Sequence, residues 1–301
     1  MSRGGVAWLV VAAWILALGW NARREHFRPE AERLALGAAM LPPGAAYYAL
    51  DVGARGAGMV SVEIDTLPGR AGFTILEQHT VRLPGLGEAG ETEIRTETWL
   101  GPRVTLDSLR RRTVRGGDTL HTRARIVGDS LHWEGGEGTA IRPLPAAGAV
   151  QTAVSWPLRY VAAGGAEAGD VRRLTLLDPA TGDLREVDLR TLETGTRVFA
   201  DSADTDPDTD EWIVAGRDTV QAWRVERIDA ASGTEAAPRL GAVRREAWID
   251  EDGRVIEAEL AGGLRMRRTA FELAFFADER GERGEAPESA EPTDQPPPED
   301  R

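Results

Sequence analysis

The chain has 301 residues, enough for one large domain or two small ones, and a formal net charge of -13. The tail Asp278–Arg301 and the stretch Asp201–Glu211 each carry -6, which leaves about -1 for the rest and gives no electrostatic footprint for nucleic acid. There is no cysteine, which excludes disulfides, thiolate metal sites, a cysteine nucleophile and a lipidated N-terminal cysteine; all 36 basic residues are arginine, which excludes a phosphate-binding loop lysine.

In chain order, the first feature is the uncharged run Gly4–Ala22, rich in Val, Leu, Ile and Trp. Nineteen residues rising about 1.5 Å each reach roughly 28 Å, close to the ~30 Å hydrocarbon core of a bilayer. Trp8 and Trp20 stand near the two ends, where indoles favour the interface. Residues 1–22 therefore read as a transmembrane helix. A cleaved signal peptide is the alternative, with Ala17-Leu18-Gly19 as its small-x-small site. Arg23, Arg24, Arg28 and Arg33 outnumber Arg3 across the run, which by itself favours a cytoplasmic body. The β character of the body favours the periplasmic side of an inner membrane.

Residues 23–44 read as a short stalk helix and linker. Pro29 suits a first helical turn, Glu30 and Glu32 suit the positive helix end, and Pro42-Pro43-Gly44 stops it. Residues 45–142 then change to period-two alternation, as in Val60, Val62 and Ile64 against Met59, Ser61 and Glu63. Turn signals separate seven strands: 46–52, 57–65, 72–83, 91–100, 103–114, 119–127 and 130–134. Residues 143–169, with an apolar patch at Val154–Val161, read as a junction.

Residues 170–277 form a second meander with strands at 170–177, 183–189, 197–200, 219–228, 242–250, 254–260 and 264–268. Asp252-Gly253 is a hairpin turn, since both residue types accept positive φ. Thr269 and Glu272 have capping-box spacing, which points to a final short helix or a last strand. Residues 278–301 lack apolar runs and read as a disordered acidic tail. The expected fold is mainly β, two antiparallel meanders in a curved sheet or half-barrel.

Few residues suggest chemistry. Asp204, Asp206 and Asp208 resemble the start of a calcium loop, but Thr209 replaces the turn glycine and Ala215 the closing glutamate, so the stretch reads as a solvated acidic loop. His26, His79, His121 and His132 have no metal-binding spacing; His121 and His132 could approach across the turn at Gly128-Asp129 but lack a third ligand. Arg110, Arg111, Arg112 and Arg115 read as the polar face of an edge strand, with anionic headgroup contact as the alternative. Trp99, Trp133, Trp156, Trp212, Trp223 and Trp248 read as core, or as the lining of an apolar groove. No nucleophile elbow occurs. The sequence assigns no catalytic, cofactor or metal residue.

The segment Ala247–Val255 with Gly263–Thr269 resembles a hairpin-and-strand motif of bacterial envelope β-proteins, as does the entry Pro42–Tyr48. These include half-barrel lipoprotein carriers and β-domains accompanying transglutaminase-like proteins. The resemblance implies an anchored, non-enzymatic binding or scaffold module with an envelope protein partner, transglutaminase-like in one version. A carrier of a lipid or other apolar ligand in the concave face is the alternative. No catalytic residue transfers, because a transglutaminase-like core needs a cysteine.

Overall fold

The computed structural model describes residues 13–18, 29–53, 55–69, 71–82, 91–136, 138–145, 149–229, 243–260 and 263–276. Within the expected anchor only residues 13–18 fall in this set, and they are helical and exposed. Among the described residues no helix is long and apolar enough to cross a membrane. The rest of the anchor, His26 and the acidic tail lie outside them.

Helix α1 (Glu30–Ala38) starts after Pro29, whose extended backbone (ψ 142°) cannot be helical, and keeps Glu30 and Glu32 in its first turn. It lies against the body, not away from it as a stalk would. Leu34 and Ala38 are buried, and Gly37 sits so close to the Ala162 carbonyl that no side chain fits between them.

The first meander comprises β1 (Gly44–Val52), β2 (Arg55–Thr66), β3 (Phe73–Arg82), β4 (Glu91–Leu100), β5 (Leu106–Arg115), β6 (Asp118–Val127), β7 (Ser130–Gly135) and β8 (Gly138–Pro143). A two-residue strand, β9 (Val150–Gln151), precedes helix α2 (Trp156–Ala162). The second meander runs through β10 (Val171–Leu177), β11 (Leu184–Thr205), β12 (Trp212–Asp229), β13 (Val243–Asp250), β14 (Val255–Leu260) and β15 (Leu264–Thr269). Residues 271–276 form a last helical turn, the helix that Thr269 and Glu272 signalled.

All fifteen strands share one sheet, ordered β8 to β1, then β15 back to β9. Every pairing is antiparallel except β9 with β10. The meanders join where β1 pairs β15, from Tyr47 opposite Thr269 to Val52 opposite Leu264. β8 and β9 are the two edges and do not pair, so the sheet curves without closing. Side chains cross the gap instead. Arg142 on β8 meets Asp183 at 2.9 Å, and Trp133 Nε1 donates to the Pro179 carbonyl at 3.2 Å.

The curve encloses α2. Trp156, Pro157, Leu158, Tyr160 and Ala162 are all buried, so this helix is covered on most of its surface, with Arg159 the exception. Tyr48, Leu50, Val60, Val225, Ile249 and Met266 pack on it from one part of the sheet. Ile75, Leu100, Leu109, Leu131 and Leu177 surround it with α1 from the other. Before α2, buried Gln151 donates to the Val104 carbonyl at 2.7 Å while Ser155 Oγ donates to Gln151 Oε1 at 3.0 Å. Val104 has φ 52°, unusual for a β-branched residue, and delays β5 until Leu106.

Gly253 has φ 74°, as its place in the Asp252-Gly253 turn requires, and a Cβ there would lie 2.8 Å from Leu158 Cα. The turn therefore sets both the hairpin and the seat of α2. Gly253→Ala should cost about 2–4 kcal/mol by adding a clash with helix backbone to left-handed strain. Urea denaturation checks this; a loss below about 1 kcal/mol would mean that the turn and helix are not tightly seated.

Candidate functional site

The inner face of β3 reads Phe73, Ile75, Glu77, His79, Val81, an apolar stripe broken by two ionisable residues. Cross-strand register puts Thr96 beside Glu77 and Arg111 beside Thr96. His79 Nε2 and Glu77 Oε1 are 2.7 Å apart, and Arg111 Nε donates to Thr113 Oγ1 at 3.2 Å. Burial raises the Glu77 pKa, but the charges of His79 and Arg111 and the His79 hydrogen bond outweigh it, so the group ends below its ordinary value. Burial pushes Arg111 down, against the pull of Glu77 and Asp178. Two further hydroxyls on this face, Thr98 Oγ1 and Thr122 Oγ1, are buried without a protein partner.

Glu77 and His79 also line a small apolar cavity of about 40 Å³ between β1–β3, α2 and the Gly253 turn. That volume holds a few waters and no substrate-sized molecule. Tyr48 is the one hydroxyl in its wall, and burial holds that phenol well above its ordinary pKa. The wall thus offers an ionised carboxylate and a histidine but no activated nucleophile.

The other residues singled out from sequence scatter. His121 and His132 do not meet: His132 pairs with Arg125, four residues along β6 from His121, a separation of about 13 Å. No cluster of metal-ligating side chains occurs among the described residues. Strand β5 is not an edge, since β4 and β6 flank it. Arg110, Arg112 and Arg115 are exposed, with Arg110 5.4 Å from the Trp99 ring, whereas Arg111 turns inward. The tryptophans do not share a groove. Trp156 is core, Trp223 packs edge-on to Tyr160, and Trp212 meets Phe276.

The acidic segment is divided: residues 201–205 end β11 and residues 206–211 form the turn that leads to β12. β11 and β12 form one ribbon, paired from Val187–Asp229 out to Thr205–Trp212. β10 pairs with β11 only up to Arg190 and β13 with β12 only between Ala222 and Glu226, so the ribbon runs on alone. Bulges near Thr191 and Ser202 bend it. It folds back over the end of β15. Phe199 lies 4.0 Å beneath the Arg268 guanidinium, and Arg197 lies 3.5 Å above the Trp248 ring. Arg268 in turn bonds Asp250 at 2.6 Å. Burial raises the Asp250 pKa although the Arg254 backbone N–H and Arg268 oppose it. At the ribbon tip, Asp206 Oδ1 accepts from the Asp208 and Thr209 amides, so this carboxylate closes a turn. Val198, Ile213 and Val214 remain exposed along the ribbon.

A carboxylate depressed by folding stabilises the native state above its unfolded pKa and stops doing so as pH falls through its lower native value. For Glu77 that window opens below about pH 4.5. Glu77→Gln should cost roughly 2–4 kcal/mol at pH 6, because Arg111 and His79 lose a buried partner. The difference from wild type should shrink toward pH 3. Urea midpoints across this range test it, and a constant difference would show that Glu77 acts through shape and not charge. At the ribbon tip, Asp204, Asp206 and Asp208 replaced by Asn should give the same melting temperature with and without calcium. A calcium-dependent rise of several degrees in wild type, lost in the variant, would make the tip a cation site.

No protein-family model matches the chain, and no curated protein matches it. Among solved structures it is similar to the β-barrel-like protein of a domain of unknown function, DUF1849, from Brucella abortus, at 16% identity and TM-score 0.47 over 76% of this chain and 95% of that one. It is also similar to a DUF1089 family protein from Pseudomonas aeruginosa, at 12% identity and TM-score 0.34 over 72% and 90%.

Proposed function

We propose that the chain is a membrane-anchored binding or scaffold module of the bacterial envelope, without catalytic activity of its own. The filled interior is the observation that carries this reading. A carrier needs room in its concave face for most of an apolar ligand, on the order of 300–1,000 Å³. Here α2 occupies that face, and among the described residues the apolar cavity beside it holds about 40 Å³. Recognition then falls to the outer surface. The ribbon beyond β10 and β13 offers free backbone edges, exposed Val198, Ile213 and Val214, and an acidic tip. The partner is an envelope protein, of the transglutaminase-like kind in the version the resemblance implies. Anchoring through residues 4–22 and placement of the body on the periplasmic side of the inner membrane complete the reading.

Carbonate-washed membranes should retain the full chain, with Gly4–Ala22 intact at its N-terminus. Release by carbonate, or a mature N-terminus at Trp20, overturns the anchored reading.

A further inference from the structure

A second, larger hollow opens where α1 meets α2 and the first two strands of the second meander. It holds about 360 Å³ between α1, α2, β10 and β11, and its wall includes Arg33, Arg159, Arg172 and Arg173. Among the described residues Glu30 is the one acid in that wall, and Asp188 pairs with Arg173 at 2.9 Å beside it. Among the described residues four positive groups therefore meet two negative ones. Leu34, Leu174 and Leu189 supply an apolar surface alongside.

Two of the arginines are fixed before any ligand arrives. Arg172 donates through Nη1 to the Tyr160 carbonyl at 3.2 Å and through Nη2 to the Gly165 carbonyl, with its guanidinium 5.1 Å from the Tyr160 ring. Tyr160 is itself held by a 2.6 Å hydrogen bond to Thr191. Arg159 donates to the Arg103 carbonyl at 2.9 Å and stands 3.6 Å from Glu30. A guanidinium has five N–H donors, so both keep donors to spare. Arg33 and Arg173 add exposed charge at the rim, where Arg173 is paired with Asp188 through both Nε and Nη2. Burial lowers the Arg159 pKa, and the Glu30 charge opposes that shift.

We infer that this recess binds a phosphate-bearing anion, and that the Arg172 and Arg159 guanidinium groups, held by backbone carbonyls, form its fixed wall. Arginine forks match phosphate oxygens with paired charge-assisted hydrogen bonds. The apolar side of the recess suits a molecule with a short hydrocarbon portion next to its phosphate. Such a group could be an anionic lipid headgroup or a free phosphate ester. Only the lipid source rests on the anchored reading, because the recess opens beside Glu30 and Arg33 at the start of the helix that follows residues 4–22.

The test is calorimetric titration of the full chain in a neutral detergent. The probes are glycerol phosphate, monomeric dihexanoyl phosphatidylglycerol and dihexanoyl phosphatidylcholine. Saturable binding of glycerol phosphate or phosphatidylglycerol is expected. It should weaken by about tenfold or more in Arg33→Gln/Arg173→Gln, which alters only exposed side chains and whose fold circular dichroism verifies. Tighter binding of phosphatidylglycerol than of glycerol phosphate assigns the lipid source; equal binding assigns a free ester. Absence of saturable binding, equal binding of phosphatidylcholine, or an unchanged affinity in the folded double variant overturns the proposal. A chain released from membranes by carbonate that still binds glycerol phosphate would refute the anchor and leave the recess intact.

Discussion

The architecture depends on covering the concave face of an open sheet. A curved sheet whose edges do not pair must bury its inner apolar face on something other than its own closure. Helix α2 supplies that cover. Gln151 and Ser155 fix where it begins, Gly253 fits beneath Leu158, and Gly37 lets α1 press against its end. The helix also replaces the missing β8–β9 ladder, since it contributes Leu158 to the cluster that contains residues from both sides of the gap, Leu131 and Leu177. The molecule is thus a barrel in outline with a helical core and a seam closed by side chains.

The helix divides the polar chemistry as well. Between α2 and β3, Glu77 is hydrogen-bonded to His79 in a wall too tight for a ligand, and the Arg111 charge offsets that of its carboxylate. Beside α1, Arg159 and Arg172 belong to the same helix–sheet contact but face a hollow with fewer acids than bases among the described residues. Compensated charge lies where access is closed, and uncompensated charge where it is open.

Most of the sheet was legible in the sequence. Alternation placed β4 at Glu91–Leu100, and the boundaries of β1, β6, β10 and β13 agree within two residues. Three features were not legible, each for a physical reason. α2 has one polar residue, Arg159, among seven, so Trp156–Ala162 shows no 3.6-residue polar period, and Pro157 reads as a break although it suits the first turn. β11 reads as two strands because the bulge at Thr191–Glu193 interrupts its alternation before Gly195. The recess joins Arg33, Arg159 and Arg172 from three separate parts of the chain, and only tertiary packing brings them together. The Glu77–His79 pair could have been found, because two ionisable residues in phase with Phe73, Ile75 and Val81 must face inward. Arg111 could not, since its partner is set by register across β4.

The β1–β15 pairing has a consequence for biosynthesis. Arg267 bonds Asp51 across a sequence separation of 216, so the centre of the sheet is completed only after the last strand has been made. The first meander ends at Pro143 and β15 begins at Leu264. At about 5–20 residues per second, roughly 6–25 s separate their emergence from the ribosome. For that time β1, with Tyr47, Tyr48 and Leu50, presents an unpaired edge to other nascent copies. The hazard is one of timing: it is governed by how fast and how densely copies are produced, and substitutions that stabilise only the finished fold leave it unchanged.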